Sequence, residues 1–372
     1  VKTLIQPKKD SYTVLVGQKD RRESLGMNHK ELYQLAQGHL DWDARRLDFL
    51  VRFIVAMIAA RSVNWKEIAL HMGQRGSYRR IQRFFQHFRP NPFVYLAFIV
   101  TMLPCKEKLS LVMDRTNWKF GAVHINILLL GCVYQGMVIP LCWLVMTKAG
   151  NSSMVERIKL MNALLRVLPK ARIGIFIADR EFIGADWFSY LREQGIKRCI
   201  RIRQNSLLEN SKVTWVYEKF DHLALGQSCF LKRRYTLMGE SFYLAGVKLN
   251  NDFLIVACDD KPSKGLKVYG LRWGIETFFG NSKSRGFDFE ATHVTQPEKL
   301  NLLLGVMSLA IFWALQTGTY LAQHAKPLKL KKHGRPELSL FRYGLDKLRQ
   351  LIFQHALDSA PALPFIRLLT CT

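Results

Sequence analysis

One segment of the chain carries an aromatic ring and three charges at helical spacing. It runs from Tyr269 to Lys283, with Arg272 and Glu276 between them. Because each residue of an α-helix advances by about 100°, one continuous helix would hold all four side chains in a stripe roughly 60° wide. A carboxylate flanked by two cations suits a site that binds a metal ion together with a phosphate. The same spacing is typical of a solvated helix face supported by salt bridges, so this segment alone leaves both interpretations open.

Two aspartates stand where hydrophobic runs end. Asp114 lies late in the run L-S-L-V-M-D-R-T, and Asp179 ends the run R-I-G-I-F-I-A-D-R. An ionised carboxylate at the end of an apolar strand must be compensated, and open sheets place their sites at strand ends. With Glu276 they would supply three hard oxygen donors, which fit Mg²⁺ or Mn²⁺ rather than Zn²⁺. Two such ions about 4 Å apart would support phosphoryl transfer.

The elements around these residues predict an α/β fold. Three apolar segments with strand character are followed by a helix, a strand, a helix and a strand. A three-stranded meander followed by this alternation is the order of a ribonuclease-H-like α/β domain. We expect its first part at 105–204, a β-rich insertion of short alternating segments at 205–262, and its second part at 263–325. The second part contains the helix that carries Glu276 and a long apolar helix.

The most apolar stretch, from Ile125 to Met146, is long enough to cross a bilayer. Gln135 and Gly136 interrupt it, Pro140 follows, and residues with high β-propensity dominate it. Two buried strands joined by a tight turn are therefore the favoured interpretation, with a membrane helix as the alternative. We expect no membrane association.

The N-terminal region, residues 1–104, has helical periodicity and a cluster of arginines. Asn64 offers an N-cap for one helix, and Ser77 opens a second one after a turn that contains glycine. A helix, a turn and a helix resemble a DNA-binding helix-turn-helix, with ordinary packing of a helical hairpin as the alternative. The candidate DNA-binding arginines of this pair are Arg75, Arg79, Arg80 and Arg83. The C-terminal region, residues 326–372, is predicted to be basic and helical, and its run L-K-L-K-K-H-G-R fits either phosphate contact or solvation.

The charge balance indicates a polyanionic partner. Lys and Arg number 55 against 29 acidic residues, which gives a formal net charge of +26 on a chain with 49% hydrophobic residues. A folded protein with this excess is attracted to nucleic acid first, with a membrane surface or a ribosomal-type role as alternatives. The seven cysteines form no C-x-x-C pair, and the first residues show no secretory signal. These features favour a reducing, cytoplasmic compartment over a disulfide framework or a zinc ribbon.

Three motifs resemble those of bacterial insertion-sequence transposases of the DDE type. They are D-R-T-N-W at Asp114, A-D-R-E-F at Asp179, and an ungapped Y-x₂-R-x₃-E-x₆-K from Tyr269 to Lys283. The last pattern is similar in particular to insertion-sequence family four, which cuts and pastes its element. The resemblance covers about residues 40–330.

The resemblance implies an activity, a cofactor and partners. Asp114, Asp179 and Glu276 would be the catalytic residues and would bind two Mg²⁺ or Mn²⁺ ions. Around them, Tyr269, Arg272 and Lys283 would contact the DNA backbone or a terminal phosphate. The protein would bind the terminal inverted repeats of its element as a homodimer, cleave them, and join the ends to target DNA in the bacterial nucleoid. A stand-alone metal-dependent nuclease and a DNA-binding protein without catalysis are the alternatives.

Two residues depart from the family's pattern. Glu181 stands where many relatives have a small residue, and it would be either a competing metal ligand or, as we favour, an outward-facing carboxylate. The family's insertion can supply a tryptophan that stabilises a flipped base. Trp215 does not convincingly match that position, and we expect it to be a core residue.

Overall fold

A mixed eight-stranded β-sheet is the largest element of the computed structural model, which describes residues 30–73, 77–91, 93–103, 107–146, 148–209, 213–332, 334, 336–354 and 363–368. Ten strands are found in the described ranges: β1 Leu109–Phe120, β2 Val123–Tyr134, β3 Met137–Met146, β4 Ile173–Ala178, β5 Arg198–Ile202, β6 Leu207–Glu209, β7 Val213–Trp215, β8 Ser228–Leu237, β9 Glu240–Lys248 and β10 Phe253–Cys258. The large sheet has the order β3-β2-β1-β4-β5-β10-β9-β8, and β6 pairs with β7 separately.

The helices come before the strands of this sheet in the chain, in its parallel crossovers, and after its last strand. In the same described ranges they are α1 Lys30–His39, α2 Ala44–Ala60, α3 Trp65–His71, α4 Ser77–His87, α5 Phe93–Met102, α6 Met154–Leu165, α7 Ala185–Glu193, α8 Gly265–Gly270, α9 Trp273–Ser282, α10 Pro297–His324, α11 Leu340–Phe353 and α12 Leu363–Arg367. The mixed α/β class predicted from the sequence is confirmed.

The first half of the sheet follows the predicted order. Strands β1, β2 and β3 form an antiparallel meander, and β4 and β5 then continue the sheet parallel to β1. Each parallel connection contains a helix, α6 before β4 and α7 before β5, as such crossovers require. Ser153 caps α6 with a reciprocal capping box to Glu156, which fixes where that crossover helix begins.

The apolar stretch that could have crossed a bilayer is the hairpin of β2 and β3. Gln135 and Gly136 join the strands with φ of 49° and 76°. Two consecutive residues of positive φ are typical of a type I′ turn, whose twist matches that of the paired strands. The prediction of two buried strands is therefore confirmed.

Helix α10 is long and apolar enough to cross a membrane by length and composition, but 94% of its most apolar window is buried inside the protein. It packs against β3, α2 and α11. A Cβ placed on Gly344 of α11 would lie 1.8 Å from the carbonyl oxygen of Ala314 in α10. The two helix backbones are thus in contact at Gly344, where the absence of a side chain makes room. Such close packing is typical of a central core helix.

The predicted helical pair near the N-terminus is present as α3 and α4. Asn64 precedes α3, and its side-chain oxygen accepts a hydrogen bond from the amide of Lys66 at 2.9 Å. The pair packs together, and α3 also contacts α2. These contacts account for packing of the helical hairpin, whereas its contact with DNA stays a prediction.

The segment 205–262 has the predicted β structure and joins the large sheet. Strands β10, β9 and β8 extend it beyond β5, each antiparallel to its neighbour. Strand β8 lies at the edge, and its pairing with β9 is irregular between Phe230 and Arg234. The domain boundaries given above stay predictions.

Candidate active site

Asp114 and Asp179 lie side by side because their strands are parallel neighbours. In the register of β1 and β4, Met113 pairs with Ala178, so each aspartate is the residue that follows a paired one. Asp179 stands directly after β4. The backbone amides of the following residues, Arg115 and Arg180, each donate to the preceding carboxylate at 2.8 Å. The prediction that neighbouring strands bring the two aspartates together is confirmed, but Asp114 lies within β1, which continues to Phe120, and not at the end of that strand.

The segment that begins at Tyr269 does not form one continuous helix. Helix α8 ends at Gly270, and α9 begins at Trp273. Between them the amides of Leu271 and Arg272 bond to the carbonyls of Val268 and Tyr269, three residues back. This i−3 bonding is the tighter 3₁₀ pattern, and glycine at 270 weakens the α-helix further. The prediction of a single stripe is therefore wrong.

Arg272 lies between two of the three predicted carboxylates. Its Nη1 donates to Oδ2 of Asp114 at 3.1 Å, and its Nη2 donates to Oε1 of Glu276. The Arg272 side chain is 14% exposed. Its Nε is buried and has no hydrogen-bond partner among the described residues. The arginine thus belongs to an enclosed cluster rather than to a solvated helix face.

Tyr269 connects the same cluster to the third carboxylate. Its hydroxyl donates to Oδ1 of Asp179 at 3.1 Å, and its ring lies 5.6 Å from the guanidinium carbon of Arg272. Arg201 on β5 approaches the same carboxylate oxygen at 3.8 Å. The helix break therefore does not separate Tyr269 and Arg272, which still meet beside Asp114 and Asp179.

Burial sets the protonation behaviour of this cluster. It raises the pKa of Asp114 to about 6, although the amide of Arg115 and the guanidinium of Arg272 lower that pKa. Burial also raises the pKa of Tyr269 to about 12. At neutral pH the aspartate is thus mainly ionised, while the tyrosine stays protonated and can donate.

The carboxylates of this cluster have the chemistry of ligands for a divalent ion but are not grouped as a preformed metal site. In the described part of the chain, no three Asp, Glu, His or Cys side chains are grouped closely enough to hold a metal. A cation nevertheless already lies between Asp114 and Glu276, since the guanidinium of Arg272 bonds to both. The donors are carboxylate oxygens, which suit Mg²⁺ or Mn²⁺. The residues therefore fit a hard divalent ion by donor chemistry and by their need for positive charge.

Lys283 interacts with residues outside this cluster. It follows the last residue of α9 with non-helical ψ of −137°. Its ammonium pairs with Glu290 at 2.7 Å and lies 5.8 Å from the ring centre of Trp118. The structure thus brings Tyr269, Arg272 and the three carboxylates into one set of contacts and gives Lys283 different partners.

Comparison with known proteins gives the family of the chain. Residues 108–313 match the family model described as Transposase DDE domain. The chain belongs to this family. Among solved structures it is similar to the piggyBac transposase in its synaptic complex with hairpin DNA, determined by cryo-EM, with a TM-score of 0.43 and 11% identity. That match covers 91% of this chain and 79% of the other, and no curated protein sequence matches.

Within this DDE domain, Glu181 is not the outward-facing carboxylate that we expected. Its side chain is 18% exposed and forms an ion pair with Arg115 at 3.0 Å. The amide and hydroxyl of Ser152 also point to its Oε1, at 3.3 and 3.4 Å. The prediction is wrong because Arg115, 66 residues earlier, supplies a partner inside the fold.

Trp215 is not a core residue of the DDE domain either. It ends β7 in the small hairpin and is 41% exposed. Its cross-strand partner, Leu207, is also exposed. A two-stranded hairpin buries little surface, so its aromatic residue stays accessible.

The candidate DNA-binding arginines of the helical pair have different surroundings. Arg79 and Arg83 of α4 are exposed. Arg80 lies 3.5 Å from Asp48 and 5.6 Å from the ring centre of Phe49. Arg75 lies outside the described residues. Contact of these arginines with DNA stays a prediction.

Sequence reasoning missed two arginines beside the carboxylates of the DDE domain. Arg115 directly follows Asp114, and Arg201 lies in the apolar strand β5. The available signal was a charged side chain inside a run of residues that must be buried, because such a charge needs a partner. The identity of that partner could not be read from spacing.

Proposed function

We propose that this chain is the DNA transposase of an insertion sequence. It would bind the terminal inverted repeats, cleave DNA by metal-dependent phosphoryl transfer, and join the ends to target DNA. The observation that carries the proposal is the meeting of Asp114, Asp179 and Glu276 around Arg272 and Tyr269, in a chain of the transposase DDE domain family. These five residues come from three segments of the chain that are more than 60 positions apart. An ordinary surface salt bridge between residues of one helix brings no such distant segments together.

The sheet order supports a ribonuclease-H-like core for this activity. An antiparallel meander followed by two parallel strands places Asp114, within β1, beside Asp179, directly after β4. Open sheets carry their sites where such strands end. Helix α9 then brings Glu276 to the same place from the second half of the chain. The proposed narrower relation, to insertion-sequence family four, rests on the Y-R-E-K spacing alone.

Asp114, Asp179 and Glu276 would hold the Mg²⁺ or Mn²⁺ ions. When bound, such ions make a water or a 3′-hydroxyl a better nucleophile and stabilise the leaving oxygen. The protein's own residues would orient these ligands. The Tyr269 hydroxyl holds one oxygen of Asp179, and the guanidinium of Arg272 holds both Asp114 and Glu276. Carboxylates held in this way lose little conformational freedom when the substrate arrives.

DNA contact would come from the cations of the same segment. The Arg272 guanidinium has a planar fork suited to phosphate oxygens, which it would reach by giving up its contact with the partly exposed Glu276. Lys283 would add a point charge. Its ammonium would exchange its ion pair with Glu290 for a contact with a phosphate. The net charge of +26 supplies attraction without sequence preference, and the helical pair with Arg79, Arg80 and Arg83 is proposed to add contacts to the element ends.

A cleavage assay on a duplex that carries the element's ends tests the proposal. The wild type should nick this DNA with Mg²⁺ and join its 3′-end to a second duplex, whereas Asp114→Asn should bind it without cleaving. Asp346→Asn is the matched control, because Asp346 pairs with Arg342 on the partly exposed helix α11.

Each alternative has its own outcome in this assay. Cleavage without joining would identify a stand-alone nuclease. Binding of DNA by the wild type with no cleavage under any divalent ion would identify a DNA-binding protein without catalysis. Equal cleavage by Asp114→Asn and the wild type would refute the assignment of the site.

A further inference from the structure

A second ion pair lies directly behind the two aspartates. Arg115 follows Asp114 in β1, and Glu181 is two residues beyond Asp179. The arginine's Nε lies 3.0 and 3.3 Å from the two carboxylate oxygens of Glu181, and its Nη2 lies 3.2 Å from Oε2. Because successive residues of a strand face opposite sides, Arg115 and Asp114 point to different faces of the sheet. The pair therefore joins the two aspartate-bearing segments from the side away from the proposed chemistry.

The pair is embedded in hydrogen bonds from neighbouring segments. Arg115 donates from Nη1 to Asn126 and from Nη2 to Asn151, each at 3.2 Å. Asn126, buried on β2, donates in turn to the carbonyls of Lys148 and Gly150 at 3.0 and 2.9 Å. Strands β1 and β2 and the loop after β3 are thus tied to one guanidinium.

Glu181 is fixed through its backbone as well. Arg157 of α6, which is 7% exposed, donates from Nη2 to the carbonyl of Glu181 at 3.0 Å and to that of Ser152 at 2.9 Å. Its guanidinium carbon lies 5.0 Å from the ring centre of Phe182. The segment around Glu181, which follows β4, can therefore shift only if several buried contacts are lost.

We propose that Arg115 and Glu181 are positioning residues that set the relative placement of Asp114 and Asp179, and that Glu181 is not a metal ligand. Both oxygens of Glu181 already accept hydrogen bonds, one from Arg115 and Ser152 and the other from Arg115. A ligand would have to give up these bonds. This inference rests on the proposed function, since the two aspartates are its proposed catalytic carboxylates.

Four variants test it: Arg115→Gln, Glu181→Gln, the double variant, and Glu181→Asp. Single-turnover cleavage at saturating DNA should fall by about tenfold or more in each Gln variant, since a charge-assisted bidentate contact is lost. The double variant should be no slower than the slower single variant, because both changes remove one interaction. Glu181→Asp, which keeps the charge, should recover part of the rate. Asp260→Asn, which removes an exposed ion pair with Lys197, is the control and should cleave like the wild type.

Mn²⁺ affinity, read from the EPR signal of free Mn²⁺, separates positioning from ligation. All four variants should bind Mn²⁺ within about threefold of the wild type. A clear loss of affinity in Glu181→Gln, with additive rate losses in the double variant, would make Glu181 a ligand and overturn the inference. Cleavage within about twofold of the wild type in both Gln variants would reduce the pair to a structural role and also overturn it.

Failure of the proposed function has a different signature. It would appear as a wild type that does not cleave the element's ends. Mn²⁺ affinity would then decide the status of Glu181 by itself. If Glu181→Gln does not fold, as judged by circular dichroism, Arg115→Gln carries the rate criterion, and the Mn²⁺ affinity of Glu181→Asp carries the test of ligation.

Discussion

Replacement of Arg272 by lysine distinguishes an organised site from a solvated salt bridge. The substitution keeps the positive charge and removes the planar fork. In the structure the two terminal nitrogens of Arg272 serve different carboxylates, Asp114 from 158 residues away and Glu276 from the next turn. A lysine ammonium presents one nitrogen and can hold only one of these partners at the same distance. The other carboxylate would lose its charge-assisted hydrogen bond.

The size of the effect follows from that lost bond. A hydrogen bond to a charged group contributes about 1.5–3 kcal/mol. Glu276 is 36% exposed, so water would replace part of its interaction and the lower part of that range applies. Since about 1.4 kcal/mol corresponds to a factor of ten, Arg272→Lys should slow the chemical step roughly 10- to 40-fold.

Single-turnover cleavage at saturating DNA measures this step, and a filter-binding titration measures affinity. We expect the rate to fall as stated and the dissociation constant to change by less than about threefold, because the charge is retained. Arg342→Lys is the matched control: Arg342 pairs with Asp346 at the same i, i+4 spacing on a partly exposed helix. A rate for Arg272→Lys within about twofold of this control would show that the pair is an ordinary helix-face salt bridge and refute the reasoning.

Three other predictions follow from the site and the core. Asp179→Ala and Glu276→Ala should abolish cleavage and joining and leave binding of element ends nearly intact; retained nicking by Glu276→Ala would remove that residue from the proposed ligand set. Cleavage should need Mg²⁺ or Mn²⁺, so full cleavage in excess EDTA would exclude metal dependence. Gly344→Ala should lower the unfolding free energy in urea titrations by about 1–3 kcal/mol or more, because a Cβ would meet the Ala314 carbonyl at 1.8 Å; an unchanged midpoint would contradict the close packing of α10 and α11.

The sequence was sufficient for the parts of the site that depend on regular elements. A hydrophobic run that ends in an acid predicted the end of β4 before Asp179, whereas β1 continues past Asp114 to Phe120. Parallel pairing places the two aspartates side by side. The hairpin of β2 and β3 was predictable because Gln135 and Gly136 mark a turn in an otherwise unbroken apolar run. In each case the decisive information lies within a few residues of the feature.

The parts that were missed depend on distant partners or on small backbone changes. The spacing from Tyr269 onward gave no sign that i−3 hydrogen bonds would replace the α-helical ones at Arg272. The environment of Glu181 is decided by Arg115, whose distance in sequence hides their contact. The exposure of Trp215 depends on the small surface area that its two-stranded hairpin buries. The residues around Trp215 in the sequence do not indicate that area.

The edge strand β8 has a consequence for how the molecule behaves at high concentration. The edge of a sheet is a template on which another copy could add a strand and begin to aggregate. Here that edge is irregular between Phe230 and Arg234, and the exposed residues within the irregular stretch are Lys232 and Arg233. The irregular pairing leaves no flat ladder for a second identical edge, and the two adjacent cations would meet the same cations of that copy, so this edge disfavours strand addition between copies.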